Sequence, residues 1–276
     1  MNLDELKTKV NSEIEKIDGK VALAFRDVFS PQNQLLINEF EEFHAASTMK
    51  TPVMIEVFKQ SSEGKFSMND TVVIKNEFKS IVDGSPYSMS IDNDSGENLY
   101  GFIGQKRTIY SLVYDMITVS SNLATNLLID IVGAQNVQNT IKALGVEKMK
   151  VLRGVEDNKA YYMGLNNTTN AFDLMIIFEK IAKGEVISPE ICKKMLGILL
   201  DQEFNKIIPA LLPKAVKVAH KTGSITGIKH DSGIVILPDG RKYVLVILSK
   251  DLKDDAKAEL IGAGISRLIY NFFMHS

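Results

Sequence analysis

The residues Ser47-Thr48-Met49-Lys50 have the types and the spacing needed to activate a serine nucleophile. They open a predicted helix, and because positions i and i+3 share one helix face, we expect the Lys50 amine beside the Ser47 hydroxyl. A serine hydroxyl needs a base to remove its proton, and a partly buried lysine can be neutral enough to act as that base. Backbone N–H groups at a helix N-terminus can also stabilise an oxyanion. Alone, the pattern also fits a cap serine followed by a surface lysine.

Two further clusters strengthen the prediction of serine chemistry. Ser120-Ser121-Asn122 begins 70 residues after Lys50, in a predicted helical block. Lys221-Thr222-Gly223 begins 101 residues after Ser120, at the end of an apolar strand. Taken singly, the first cluster is typical of a helix cap and the second of a strand end with a turn. Their common occurrence in this order indicates a shared site.

The three clusters together resemble the S-x-x-K, S-D-N and K-T-G signature of class A β-lactamases and penicillin-binding proteins. The flanking sequence agrees, with Phe43 four residues before the serine, MITVSSNLATNLLI around Ser120, and KTGS closing a strand. The resemblance covers the whole chain. It implies an α+β protein with the β-lactamase/transpeptidase-like fold.

The resemblance also implies a role for each matched residue. Ser47 would attack the substrate carbonyl, Lys50 would take or relay the proton, and Ser120 would pass a proton to the leaving nitrogen. Asn122 would bind the substrate amide, and Lys221 would supply positive charge for Ser120 and for the substrate carboxylate. Thr222 and Ser224 would hydrogen-bond that carboxylate, with Gly223 between them in the substrate-binding strand. The backbone N–H groups of Ser47 and Ser224 would form the oxyanion hole.

Release of an acyl-enzyme needs a base that activates water, and Glu156 in Arg153-Gly154-Val155-Glu156 is the best match to the family's catalytic loop glutamate. Asp157 is the neighbouring alternative, and an ordinary solvated glutamate is the non-catalytic one. The loop departs from the family pattern because no proline follows Glu156 and its spacing to Thr168-Thr169 is short. Asn167 also stands where an acidic partner for an arginine is usual.

Two other departures concern the motifs themselves. Ser121 replaces the usual aspartate of the second motif, which is expected to affect local loop order rather than acylation. The strand after Lys221-Thr222-Gly223 lacks the arginine that many relatives use to bind a carboxylate, and Lys229 or His230 could replace it. We nevertheless expect His230 and Asp231 to form a hydrogen-bonded pair at the strand end, and His44 to be structural.

The elements that must position these residues can be read from hydrophobic periodicity and turn residues. The predicted order is a helix from Leu3, strands at 20–29 and 33–40, a helix from Ser47, a surface loop at 80–101, helical segments at 111–133, 134–145, 169–184 and 188–202, strands at 215–223 and 232–251 with a turn at Pro238-Asp239-Gly240, and a helix at 255–273. This order predicts an antiparallel sheet built from both termini and flanked by helices, in a lobe of residues 1–46 and 206–276. An all-α lobe of residues 47–205 would carry the catalytic loop, with the active site at the lobe interface.

Composition excludes several other classes of protein. The 276 residues carry a net charge of −2, which argues against a nucleic-acid partner. Cys192 is the one cysteine, and nucleotide-binding and zinc-binding motifs do not occur, so no cofactor and no metal are expected. No membrane-spanning run and no signal-peptide pattern are present. We expect a monomer that acts on a small β-lactam or acyl-amide substrate. The protein is expected to be cytoplasmic as the chain stands, and secreted or periplasmic if a leader has been removed.

Three functions fit these motifs. The first is a class A-like β-lactamase, which hydrolyses its acyl-enzyme with a glutamate-activated water. The second is a related serine esterase or D-alanyl peptidase, and the third is a penicillin-binding module that does not turn over. Steady-state hydrolysis of a chromogenic cephalosporin separates the first function from the other two.

Overall fold

A computed structural model describes residues 1–275 of the chain. The helices are α1 Leu3–Ile14, α2 Lys50–Ser62, α3 Ile109–Thr118, α4 Asn122–Val132, α5 Ala134–Ala143, α6 Asn158–Tyr162, α7 Ala171–Lys183, α8 Pro189–Leu200 and α9 Asp255–Met274. The strands are β1 Lys20–Asp27, β2 Gln34–Ile37, β3 Phe43–His44, β4 Thr71–Val73, β5 Phe78–Lys79, β6 Pro86–Tyr87, β7 Lys106–Thr108, β8 Thr168–Thr169, β9 Lys217–Ile225, β10 Ile228–Ile236 and β11 Lys242–Lys250. Within this part of the chain, every helix is too short or too polar to cross a membrane.

Contacts divide the chain into two units, and the first contains Met1–Thr48 and the described part of Thr169–Ser276. Its centre is an antiparallel sheet in the order β2-β1-β11-β10-β9. The register of β1 on β11 joins the two ends of the chain, with Lys20 opposite Lys250. This confirms the predicted sheet built from both termini.

Apolar side chains point to both sides of this sheet, because successive residues of each strand face opposite ways. Val21, Leu23 and Phe25 of β1 belong to a core cluster with apolar residues of α1 and α9, which pack on each other. Helices α7 and α8 also contact the sheet, α7 through β1, β10 and β11, and α8 through β9. Successive side chains of a strand point to opposite faces, so helices can cover both sides.

The second unit, Met49–Thr168, is a continuous segment of chain. Helices α2, α3, α4 and α5 pack on one another around buried aliphatic and methionine side chains. The unit also contains two short antiparallel ladders, β4 with β7 and β5 with β6, within the region between α2 and α3. The ladder of β5 with β6 lies at the start of the segment predicted as a surface loop.

The structure differs from the predicted lobes in two respects. Helices α7 and α8 were assigned to a lobe of residues 47–205, whereas they group with the sheet because their apolar faces contact its strands. The boundaries therefore fall after Thr48 and after Thr168. The predicted second lobe is also not all-helical, because it contains the two short ladders. The last residue of the predicted first lobe, Ser276, lies outside the described residues.

Candidate active site

Lys50 is the first residue of α2 and its side chain is fully buried, so it is not a surface lysine. The Lys50 Nζ donates to the Ser120 carbonyl oxygen at 2.6 Å, to Asn122 Oδ1 at 2.8 Å and to Ser120 Oγ at 3.2 Å. Burial lowers the pKa of Lys50 to about 7, although the carboxylates of Asp94 and Glu156 act to raise it. An amine with this pKa is part neutral near neutral pH and can accept a proton.

Glu156, on the loop before α6, also contacts Asn122. The Asn122 Nδ2 donates to Glu156 Oε1 at 2.8 Å, so the Asn122 amide joins Lys50 on one side to Glu156 on the other. Burial raises the pKa of the Glu156 carboxyl, while hydrogen bonds from Asn122 and from the Ser90 backbone act to lower it. A half-buried carboxylate with a raised pKa is a stronger proton acceptor than a solvated one.

Ser120 lies in a break that the sequence did not predict. The segment 111–133 was read as one helical pattern, but α3 ends at Thr118 and α4 begins at Asn122. Ser120 has a φ of 59°, which is the left-handed region that non-glycine residues rarely adopt, and Ser121 caps α4 by accepting from the Ala124 N–H at 3.2 Å. Strain of this kind is retained where the surrounding structure fixes it, which is typical of functional sites.

Asp94 is a residue of this site that sequence reasoning missed. It is 6% exposed, and its carboxylate accepts from the backbone N–H groups of Asn122 at 2.9 Å and Leu123 at 2.8 Å. The segment 80–101 was predicted as a surface loop because it is rich in Ser, Asp, Asn and Gly. A buried aspartate among so many polar residues gives no signal of its own in the sequence.

The Glu156 loop is held from inside by Asn126. The Asn126 Oδ1 accepts from the Val155 N–H at 2.7 Å, and its Nδ2 donates to the Val155 carbonyl at 3.0 Å. Gly154 fits against this amide because a Cβ there would stand 2.2 Å from Asn126 Oδ1. Glu156 itself has a φ of 59°, so the loop holds the proposed base in a strained conformation.

The neighbours of Glu156 have structural roles. Asp157 is buried and caps α6 by accepting from the Ala160 N–H. It also accepts from Ser80 Oγ and the Ile81 N–H at 2.9 Å each. Arg153 is also buried, and neutral groups hold its guanidinium. The guanidinium donates to the carbonyl oxygens of Leu165 and Gly154 and to the side-chain oxygen of Asn166. The side chain of Asn167 binds the backbone of Leu152 and Arg153.

In the first unit, Ser47 lies in a short 3-10 turn, Ala46–Met49, that runs directly into α2. Ala46 has a φ of 45°, and its N–H donates to His44 Nδ1 at 3.0 Å, which agrees with a structural role for His44. Gly223 packs against this turn, since a Cβ on it would stand 3.1 Å from Thr48 Cγ2 and 3.3 Å from Ala46 Cβ. The third motif therefore lies beside the turn that carries Ser47.

The remaining residues of the third motif lie on β9. The Lys221 side chain is fully buried, and its Nζ donates to the Thr222 carbonyl at 3.0 Å. Thr222 is half-buried, and Ser224 is exposed at the end of the strand. The Lys229 amine donates to Ser224 Oγ at 2.8 Å from the paired position on β10.

The predicted pair of His230 with Asp231 is wrong, because neighbouring strand residues point to opposite faces. Asp231 instead contacts His220 Nδ1 at 2.8 Å. His230 is buried, with its Nε2 2.9 Å from the His44 carbonyl and its Nδ1 accepting from the Ser249 N–H. Burial lowers the pKa of His230 to about 4, so it is neutral at neutral pH and cannot serve as the cation for a substrate carboxylate.

The structure thus arranges the predicted residues in two groups. The second unit brings together Lys50, Ser120, Asn122 and Glu156, and the first unit brings Gly223 beside the turn of Ser47, with Lys221, Thr222 and Ser224 on the same strand. In the described part of the chain, no cluster of three or more His, Cys, Asp or Glu side chains is arranged to hold a metal ion.

A buried lysine, a strained serine and a loop glutamate meet around one asparagine, within a chain that has the β-lactamase fold. A family model described as the beta-lactamase enzyme family matches residues 5–273. The chain therefore belongs to the beta-lactamase enzyme family, which confirms the resemblance stated from the motifs.

Individual relatives agree with this assignment. The chain is 28% identical over 282 residues to the extended-spectrum beta-lactamase PER-1 of Pseudomonas aeruginosa, an alignment that covers 95% of this chain and 87% of that protein. Among solved structures, a beta-lactamase from Sphaerobacter thermophilus gives a TM-score of 0.85 at 26% identity, covering 98% of this chain and 97% of the other. PBP-A gives 0.82 at 26% identity, covering 99% and 97%, and a PBP-A mutant was solved as an acyl-enzyme complex with penicillin G. The predicted α+β fold is confirmed.

Proposed function

We propose that this protein is a class A-like β-lactamase, which opens the β-lactam ring through an acyl-Ser47 intermediate and hydrolyses that intermediate with a water activated by Glu156. One observation carries the proposal. The Asn122 amide binds both a buried amine whose pKa is about 7 and a half-buried carboxyl whose pKa is raised. The amine can accept a proton near neutral pH, and the carboxyl is a stronger base than a solvated one, which are the properties that the two halves of the reaction need.

In the acylation half, the Ser47 oxygen attacks the lactam carbonyl carbon and its proton passes to neutral Lys50. The backbone N–H groups of Ser47 and Ser224 would stabilise the oxyanion, and each such donor contributes roughly 10²–10³ in rate. When the carbon–nitrogen bond breaks, Ser120 gives its proton to the ring nitrogen. The Lys50 Nζ lies 3.2 Å from Ser120 Oγ and passes to it the proton taken from Ser47. Lys50 and Ser120 thereby regain their starting protonation, and the Ser47 proton ends on the ring nitrogen.

In the deacylation half, Glu156 removes a proton from water while the water oxygen attacks the ester carbonyl. The ester bond to Ser47 breaks, and the serine oxygen regains a proton from the acid formed at Glu156. The raised pKa of Glu156 supports this role, because a stronger base makes the attacking water more nucleophilic. Asn122 holds both Glu156 and Lys50, so one amide supports both halves of the cycle.

The strand β9 would bind the carboxylate of the substrate. We assign Lys221 as the cation of that subsite, with hydroxyl donors from Thr222 and Ser224. Lys229 takes the place of the absent arginine, because its amine already binds Ser224 Oγ whereas His230 is neutral and buried.

A second candidate function is a penicillin-binding protein that forms the acyl-enzyme and releases it slowly. The likeness to PBP-A, a mutant of which was solved as an acyl-enzyme with penicillin G, favours this alternative. The presence of Glu156 in contact with Asn122 favours hydrolysis.

Intact-mass spectrometry after mixing with penicillin, followed over time, tests both candidates. A β-lactamase shows a transient adduct and steady loss of penicillin, and a slow-release protein shows a persistent adduct of one penicillin per chain. The variant Ser47→Ala should show neither adduct nor turnover. An adduct on Ser47→Ala, or no adduct on the parent protein, would contradict the proposed nucleophile.

A further inference from the structure

The carboxylate of Asp94 occupies the N-terminus of α4, where it binds the first backbone donors of that helix. The N–H groups of Asn122 and Leu123 have no partner within the helix, and they donate to the two oxygens of Asp94 at 2.9 and 2.8 Å. A negative charge at a helix N-terminus is also favoured by the helix dipole. Asp94 therefore fixes the backbone of the asparagine that contacts Lys50 and Glu156.

The loop side of this contact is equally well defined. The Gly96 N–H donates to Asp94 Oδ1 at 2.8 Å and the Tyr100 hydroxyl donates to Oδ2 at 3.2 Å. Gly96 packs directly on Ser121, because a Cβ at position 96 would stand 2.3 Å from the Ser121 Cβ. The small residues at 96 and 121 let the loop approach closely enough for its carboxylate to reach α4.

We propose that Asp94 is a positioning residue of the active site, and that it supplies from a neighbouring loop the carboxylate that the second motif lacks at Ser121. Asp94 acts through Asn122, whose side chain binds Lys50 and Glu156 on its two sides. This inference rests on the proposed function, because it assigns Asp94 to the reaction that those residues carry out.

The charge of Asp94 provides a readout that a purely structural contact would not. Its carboxylate acts to raise the pKa of Lys50, as does that of Glu156, and it also acts to raise the pKa of Glu156. Removal of the charge should lower both pKa values. The acidic limb of the pH–rate profile should then move to lower pH, since the bases stay deprotonated in more acidic solution.

The test compares the parent protein with Asp94→Asn and with Glu56→Gln as a matched control. Glu56 is a buried acid of the same unit, and its carboxylate accepts from the side chains of Gln60 and Thr140. For Asp94→Asn we expect kcat to fall by about 10–100-fold, the loss typical of misplaced catalytic groups, with the acidic limb at lower pH. Glu56→Gln should keep the parent's pH profile, even if its Tm falls.

A second pair of variants leaves the charge in place and moves the loop. Gly96→Ala pushes the segment of Asp94 away from Ser121, whereas Gly101→Ala in the same region has no atom within 4 Å of the new Cβ. Gly96→Ala should lower kcat and speed amide hydrogen exchange at Asn122 and Leu123, and Gly101→Ala should do neither. If Asp94→Asn does not fold, this pair of variants tests whether Asp94 positions Asn122.

The proposal is overturned if Asp94→Asn folds with the parent's kcat and pH profile, or if Gly96→Ala matches Gly101→Ala in kcat and in amide exchange. Failure of the proposed function has a different signature, because the parent protein itself would then form either no adduct on Ser47 or a persistent adduct without turnover. The amide exchange measurement still reports on the Asp94 contacts in that case.

Discussion

Two loops of the second unit each bring a carboxylate to Asn122, and the two carboxylates are held very differently. The carboxylate of Asp94 accepts from the backbone N–H groups of Asn122, Leu123 and Gly96 and from the Tyr100 hydroxyl. That of Glu156 accepts from the Asn122 side chain and from one backbone group, at Ser90.

The difference agrees with the two proposed roles, positioning for Asp94 and proton transfer for Glu156. Backbone donors are fixed in place, so the carboxylate of Asp94 and the start of α4 hold each other in one arrangement. Glu156 is bound mainly by a side-chain amide, and burial raises its pKa, so it keeps the capacity to take a proton from water. The sequence distance of an acid from the nucleophile says less about its role than the donors around it.

The largest expected effect that tests this comparison is that of Glu156→Gln. The glutamine oxygen can still accept from Asn122, so the fold should be kept, but the variant has no base for water. We expect deacylation to slow by about 10²–10⁴, with acylation still measurable, the range for loss of a general base. Mass spectrometry should show a stable penicilloyl adduct on Ser47. Turnover at the parent's rate would remove Glu156 from the mechanism.

The next largest effect is expected from Gly154→Ala, which changes the contact between the Glu156 loop and Asn126 and leaves the Glu156 carboxylate in place. In Gly154→Ala the new Cβ would stand 2.2 Å from Asn126 Oδ1, so the loop must move. We expect a loss of about 10–100-fold in deacylation and of about 1–3 kcal/mol in the free energy of unfolding. Single-turnover kinetics and urea unfolding measure the two losses. Gly101→Ala is the control, and equal behaviour of the two variants would show that the Asn126 contact is unimportant.

The pH dependence separates Lys50 from Glu156 in acylation. Lys50 accepts a proton only when it is neutral, and its pKa of about 7 predicts that kcat/KM rises with pH up to about that value and levels off above it. In Glu156→Gln the acidic limb of single-turnover acylation should persist, displaced to lower pH because one carboxylate that raises the Lys50 pKa is gone. A limb that disappears in this variant would assign acylation to Glu156 instead.

The smallest expected effect is that of Tyr100→Phe, which removes one donor from Asp94. The backbone donors remain, so we expect a cost of about 0.5–1.5 kcal/mol in the free energy of unfolding and a change in kcat of less than about threefold. Thermal unfolding and steady-state kinetics measure both quantities. A loss of kcat as large as that of Asp94→Asn would mean that Tyr100 itself takes part in the reaction.

The sequence predicted the fold and the proposed site residues because their signals are local. Strands of β-branched residues, the turn at Pro238-Asp239-Gly240 and each of the three short motifs depend on neighbours in the chain. The antiparallel sheet built from both termini follows from that order of elements, and the register of β1 on β11 confirms it.

The features that the sequence did not predict depend on contacts between distant segments. The break before α4 interrupts a continuous apolar pattern, and its cause is the strained Ser120 together with the cap at Ser121. Asp94 became part of the site through contacts with residues almost 30 positions away. The sheet contacts of α7 and α8, which moved the boundary between the units, are likewise long-range.

The antiparallel pairing of β1 with β11 has a consequence for synthesis of this protein on the ribosome. Lys20 pairs with Lys250, and at about 5–20 residues per second the first of them emerges about 10–50 s before its partner exists. During that interval β1 can pair with β2, but the backbone N–H and C=O groups on the edge where β11 will bind stay unpaired. The continuous segment Met49–Thr168 needs no such delay. We therefore expect nascent chains to carry an exposed strand edge until residue 250 has been synthesised.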